Sequence, residues 1–270
     1  MYSELQNLID KPISLTNKIL YQICNNTGEY SWGNGKFLGE KIWLIGRSYA
    51  ASPERRYIKA KSFDRKLELD NVGDGTGKYF DEIGEYIVNN EQYKDLVLAL
   101  NELQYKYKFD GSSNDLDLLK RSVEAVGLLN EMVKCASKRY DDENNPKIKG
   151  NVEYRNQISF CSKFLHFHCP DIVFIIDGFT RRAASNLFSQ NSKKQLYIEN
   201  RKIGESLKNV LNFNLPNQPI KCFDNISEYM KFCEKSYALC RYIKNSQLDI
   251  SNITYYPRTS DCILQSIKCS

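Results

Sequence analysis

Lys163, His166, His168, Asp177, Arg181 and Arg182 all fall in one short run, SFCSKFLHFHCPDIVFIIDGFTRRAASNL. On a helical wheel with Ser159 at zero, Lys163 lies near ~40°, Ser162 near ~300° and His166 near ~340°, so these four form one narrow polar stripe. Ile158, Cys161, Phe164, Leu165 and His168 lie on the other side. The segment therefore reads as a helix buried over most of its circumference that ends before Pro170. Lys163 is placed at the edge of a core. Desolvation there disfavours the ammonium and exposes a nucleophilic amine, while the alternative is a lysine that snorkels to water. His166, on the same stripe, is the candidate for proton transfer or hydrogen bonding, and His168 reads as a core histidine.

Asp177 follows the apolar run Ile172 to Ile176, which reads as a buried connector or short strand. Behind it Phe179, Ala183 and Leu187 recur at a spacing of four and predict a second helix that exposes Arg181, Arg182 and Ser185. Asp177 stands where a helix N-cap is expected. A capping carboxylate at the mouth of a cleft also stabilises a developing cation, and arginines one turn into a helix suit phosphate. Cys161, His166, His168 and Cys169 suggest zinc by type. His166 and His168 point about 160° apart on a helix, however, and no single tetrahedral ion collects the four. No metal and no cofactor are expected.

KIWLIGRSYAASPERRY is the second informative stretch. Ile42, Trp43, Leu44, Ile45, Tyr49 and Ala50 are apolar on a helix, with Arg47 near small residues and Arg55 and Arg56 beyond a turn at Ser52. The arginines are either a phosphate-binding group or part of a core helix with a buried ion pair. Gly73, Gly75 and Gly77 make no phosphate loop, because Lys78 is followed by Tyr79 where Ser or Thr is required.

The segment FIIDGFTRRAASNLF resembles the helix-hairpin-helix DNA glycosylases of the endonuclease III and 8-oxoguanine glycosylase superfamily, in which a catalytic aspartate precedes a helix with basic residues. The lysine upstream is similar too. The hydrophobic helix ending in Gly-Arg-x-Tyr and then Glu-Arg-Arg is similar to the N-terminal part of divergent bacterial proteins of that fold. The resemblance implies a mainly α, two-lobed helical protein that acts on a flipped base in double-stranded DNA. Lys163 would inherit the nucleophile's role and Asp177 the cation-stabilising one. Arg181, Arg182, Arg47, Arg55 and Arg56 would contact DNA, and Trp43 or Tyr49 would stack on the base. The glycine-rich hairpin of the family is replaced here by QISFCSK. That departure favours the rival reading, a non-catalytic DNA-binding or phage-defence module on the same fold. A third reading is a nucleotide-acting enzyme using Arg47, Arg55 and Arg56.

A chain of 270 residues with 41% hydrophobic and 12% aromatic content buries a sizeable core and is not disordered. Between Lys147 and Lys208 eleven Lys or Arg stand against five Asp or Glu, a net +6 in a chain of net +5. This window favours an anionic partner; a solvated lysine-rich surface is the alternative. Helical periodicity covers 79–107, 115–140, 153–211 apart from the connector, 226–245 and a short tail around Asp261 to Ile267. The polar DDENNPKIKGN predicts a boundary between an N-terminal lobe, 1–145, and a basic C-terminal lobe, 146–270. Nine cysteines at irregular spacing suit reduced thiols. With no apolar run of membrane length and no signal core at the N-terminus, the expectation is a cytoplasmic protein with no membrane partner.

Overall fold

A computed structural model describes residues 2–25, 32, 35–49, 51, 53, 57–58, 76–106, 115–144, 153–189, 195–198, 201–203, 205–213, 215, 226–251, 253 and 255–269. The described chain is mainly helical. It divides into two compact units, neither of them continuous in sequence: a terminal unit of Met1–Ile13, Glu102–Glu124 and Cys169–Ser270, and a central unit of Ser14–Asn101 and Ala125–His168. The division expected at 145/146 runs through the central unit.

The central unit holds α2 (Leu15–Cys24), α3 (Gly35–Ser48), α4 (Thr76–Val88), most of α5 (Glu91–Lys106), the greater part of α6 (Asp115–Asn144) and α7 (Ile158–His168). Strands β1 (Tyr57–Ile58) and β2 (Glu153–Tyr154) pair antiparallel beside them. Ser14 caps α2, its hydroxyl accepting from Asn17 N–H. The helical stretch expected over 79–107 breaks at Asn89–Asn90, where the Asn90 side chain accepts the Gln92 N–H at 2.9 Å and starts a new helix. The segment before Trp43 is helical from Gly35 onward, despite its glycines. Gly39 is there for space: a Cβ at that position would stand 2.5 Å from the Phe80 carbonyl oxygen, so α3 and α4 pack backbone to backbone. Leu38, Ile42, Ile45, Phe80, Ile83, Ile87, Leu129, Val133, Phe160 and Phe164 fill this core.

The terminal unit holds α1 (Tyr2–Ile9), the first turns of α6, α8 (Gly178–Leu187), α9 (Glu205–Phe213), α10 (Ser227–Asn245) and α11 (Tyr256–Ser266). Pro257 in the first turn of α11 is tolerated because that N–H would have no intrahelical acceptor. The window 153–211, expected to be helical, also carries strands. In the terminal unit β3 (Leu196–Ile198) lies between β4 (Arg201–Lys202) and β5 (Ile267–Cys269), antiparallel to both. The latter partner comes from the other end of the chain, a pairing that local periodicity does not encode. Among the described residues no helix is long and apolar enough to cross a membrane.

Candidate functional site

The start of α7 is set from α6, whose Asn130 Oδ1 accepts the Gln157 N–H at 2.6 Å. Every residue from Phe160 to His168 is buried, the polar ones included. The stripe of Ser159, Ser162, Lys163 and His166 therefore runs inside the central unit, where α2 and α3 pack on α7. Lys163 is 2% exposed; its Nζ donates to Ser159 Oγ one turn back at 3.0 Å and lies 5.6 Å from the Tyr49 ring centroid. The side chain does not snorkel to water, because its stem and head are both covered. His166 Nε2 sits 2.6 Å from the Tyr21 hydroxyl of α2. The seam is thus a set of paired buried polar groups joining α7 to its neighbours.

Asp177 belongs to the terminal unit. The connector before it, Ile172–Ile176, is buried throughout and leaves a turn at Ile172 without forming a strand, and the Tyr229 hydroxyl of α10 donates to its Phe174 carbonyl at 2.5 Å. Asp177 is the N-cap of α8 in extended backbone, φ −141° and ψ 179°. Its Oδ1 accepts the Phe179 and Thr180 N–H groups, both at 2.8 Å, and Thr180 Oγ1 accepts the Asp177 N–H at 3.0 Å, completing a capping box. Every bond to the carboxylate that these groups make falls on Oδ1. Oδ2 of this half-exposed carboxylate has no hydrogen-bond partner among the described residues.

Thr180, Ala183, Ala184 and Leu187 are the buried face of α8, packed on α10 and α11. Phe179, expected on that apolar face, is instead 74% exposed. The first turn of α8 turns it outward, although its spacing of four from Ala183 is helical. Arg181 and Arg182 are exposed as expected but diverge. Arg181 Nη1 pairs with Glu228 Oε2 at 3.0 Å, and the Arg182 guanidinium lies 5.0 Å from the Phe179 ring centroid.

On α3, Trp43 and Arg47 share the exposed face one turn apart. Tyr49 is partly buried, its hydroxyl donating to Asn17 Oδ1 and its ring 5.6 Å from that of Phe167. Arg55 and Arg56 lie outside the described residues.

The sequence reading missed Lys41. Its spacing was a usable signal, since Leu38, Lys41, Ile42 and Ile45 share one face of α3, and all four are buried. Burial lowers the Lys41 pKa below the usual lysine value, with the Cys24 thiol opposing the shift. Burial also pushes Cys24 up to about 12, moderated by Lys41. His168 is in the same unit, its ring 4.0 Å from that of Trp32. Burial, then the charge of Lys41, depress it to about 3, against a bond to the Phe164 carbonyl. That bond, 2.8 Å from Nδ1, makes Nδ1 the protonated nitrogen. Nε2 has no partner among the described residues, so this core histidine is only half satisfied.

No family model, curated protein or solved structure matches the chain. The chemistry rests on the geometry. Among the described residues no three His, Cys, Asp or Glu side chains converge where a metal could bind. The two histidines point at Tyr21 and at the Phe164 carbonyl respectively. Lys163 and Asp177 stand in different units and in opposite settings, a covered amine and an open carboxylate oxygen.

Proposed function

We propose that the protein binds DNA and excises a damaged or modified base by hydrolysis, with Asp177 as the acting group. The observation that carries this reading is the division of labour within one carboxylate. Oδ1 is locked to the first turn of α8, which orients the group, and Oδ2 is left without a partner among the described residues. A fixed anion of this kind stabilises the cationic sugar formed as the N-glycosidic bond breaks. It also accepts the proton of the water that attacks the anomeric carbon, while the base departs with the bonding electrons and takes up a proton. The +6 window between Lys147 and Lys208, which includes Arg181 and Arg182, supports a polyanionic partner. Attack by Lys163 is not part of the reading, because that amine is covered and bonded to Ser159.

The test is base release from a panel of duplexes carrying damaged or modified bases, with borohydride trapping run in parallel. Release without a trapped adduct, lost in Asp177→Asn and kept in Lys163→Met, is the expected result. A trapped adduct that depends on Lys163 would refute the hydrolytic version. A second reading, a DNA-binding module without chemistry, is favoured by the burial of Lys163. Tight, salt-sensitive binding with no base released across the panel would select it.

A further inference from the structure

Single exposed apolar side chains are ordinary, and Leu98 and Tyr105 on α5 are examples. Phe179 differs in how it is held and in what surrounds it. The ring is 74% exposed, and the Arg182 guanidinium lies against it at 5.0 Å. Arg182 folds back along α8, its Nη1 3.7 Å from where a Cβ of Gly178 would stand. Helical side chains lean toward the N-terminus in this way. An aromatic ring backed by a cation and open to solvent is a stacking platform for a π-system.

The surrounding charges decide which part of a nucleic acid suits it. The N–H groups that would hold a phosphate at the start of a helix are occupied here, because Asp177 Oδ1 takes those of Phe179 and Thr180. The Asp177 carboxylate repels an anion, and Arg181 is drawn to Glu228. Asp177 and Glu228 thus offset Arg181 and Arg182, and a phosphate gains little from these four groups alone. A nucleobase carries no charge and presents a flat face. In an intact duplex both faces of each base are covered by its neighbours, and only an unpaired nucleotide offers one.

We infer that Phe179, backed by Arg182, stacks on an unpaired nucleobase, so that the DNA this protein prefers is single-stranded or locally unpaired. The inference rests on the DNA-binding reading above and narrows its substrate class.

The experiment measures binding by fluorescence anisotropy to a single strand, to the matching duplex, and to that duplex with a one-nucleotide bulge. Wild type, Phe179→Ala and Phe179→Trp are compared across a salt series, with circular dichroism melts to show that each is folded. Wild type binds the single strand and the bulge more tightly than the duplex. Phe179→Ala loses about tenfold on the first two, the scale of one base–aromatic stack, and leaves duplex binding and the salt slope unchanged. Phe179→Trp keeps the affinity, and its added indole emission is quenched by the unpaired ligands. Equal affinity of wild type for all three ligands, or an equal loss on all three in Phe179→Ala, overturns the inference alone. No binding of any nucleic acid by wild type at low salt overturns the DNA-binding reading and the inference together.

Discussion

Acid should weaken this protein partly through one buried ring, and replacing His168 with Phe should remove that part. His168 is 3% exposed, neutral, and depressed from the ordinary histidine value of 6.5 to about 3 by burial and then by the charge of Lys41. A group whose pKa is lower in the folded state binds its proton first in the unfolded chain. The penalty is therefore absent well above pH 6.5, grows by about 1.4 kcal/mol per pH unit as pH falls below it, and levels off near pH 3. Near pH 4.5 it amounts to roughly 3 kcal/mol, a large share of the marginal stability of a folded domain. At neutral pH the Phe variant loses the bond from Nδ1 to the Phe164 carbonyl, worth about 1 kcal/mol, and also removes the unsatisfied Nε2. The offset at pH 7 is thus small and not diagnostic, and the slope is the readout. Urea denaturation of both proteins at pH 7, 5.5 and 4.5 measures it: stability of the variant relative to wild type should rise as pH falls. Lys41→Met should leave that slope unchanged and raise the pH at which the penalty levels off, by the smaller, charge-dependent part of the shift. Parallel stability curves for wild type and His168→Phe would refute the reasoning.

Gly39→Ala should destabilise by about 2–3 kcal/mol, since its Cβ meets the Phe80 carbonyl rather than a movable side chain; a thermal melt unchanged from wild type would contradict the close packing of α3 on α4. Asp177→Ala should cost about 1 kcal/mol through loss of the cap, whereas Asp177→Asn should keep most of that stability while abolishing base release, measured on the same preparations. Glu228→Gln should change stability by less than about 1 kcal/mol, because the pair is exposed, and should tighten DNA binding a few-fold at low salt by releasing Arg181, with the gain disappearing as salt rises.

The helix over 158–168 and its end before Pro170 were readable from apolar spacing and a helix breaker, and so were α6, α10 and the cap at Asp177. These features are set by residues within a turn or two of one another. The same local rules put Lys163, Ser159, Ser162 and His166 on one stripe, and the structure keeps that stripe. Whether it faced water was not local information. α2 and α3 cover it, and Tyr21 and Ser159 supply the partners for His166 and Lys163. Phe179 was misplaced for the reverse reason: its spacing from Ala183 is helical, but at that position in the first turn of α8 the ring stays 74% exposed. Lys41 was hidden by its charge, although its neighbours at three and four residues mark a buried face. The pairing of β3 with β5 joins residues about seventy apart and leaves no periodic trace in either segment. Sequence by itself determined where most helices run and which residues cap them, because backbone hydrogen bonds and side-chain direction repeat every few residues. Only the tertiary structure decided which polar side chains are sealed in and which remain open, because burial depends on what distant segments bring to each face.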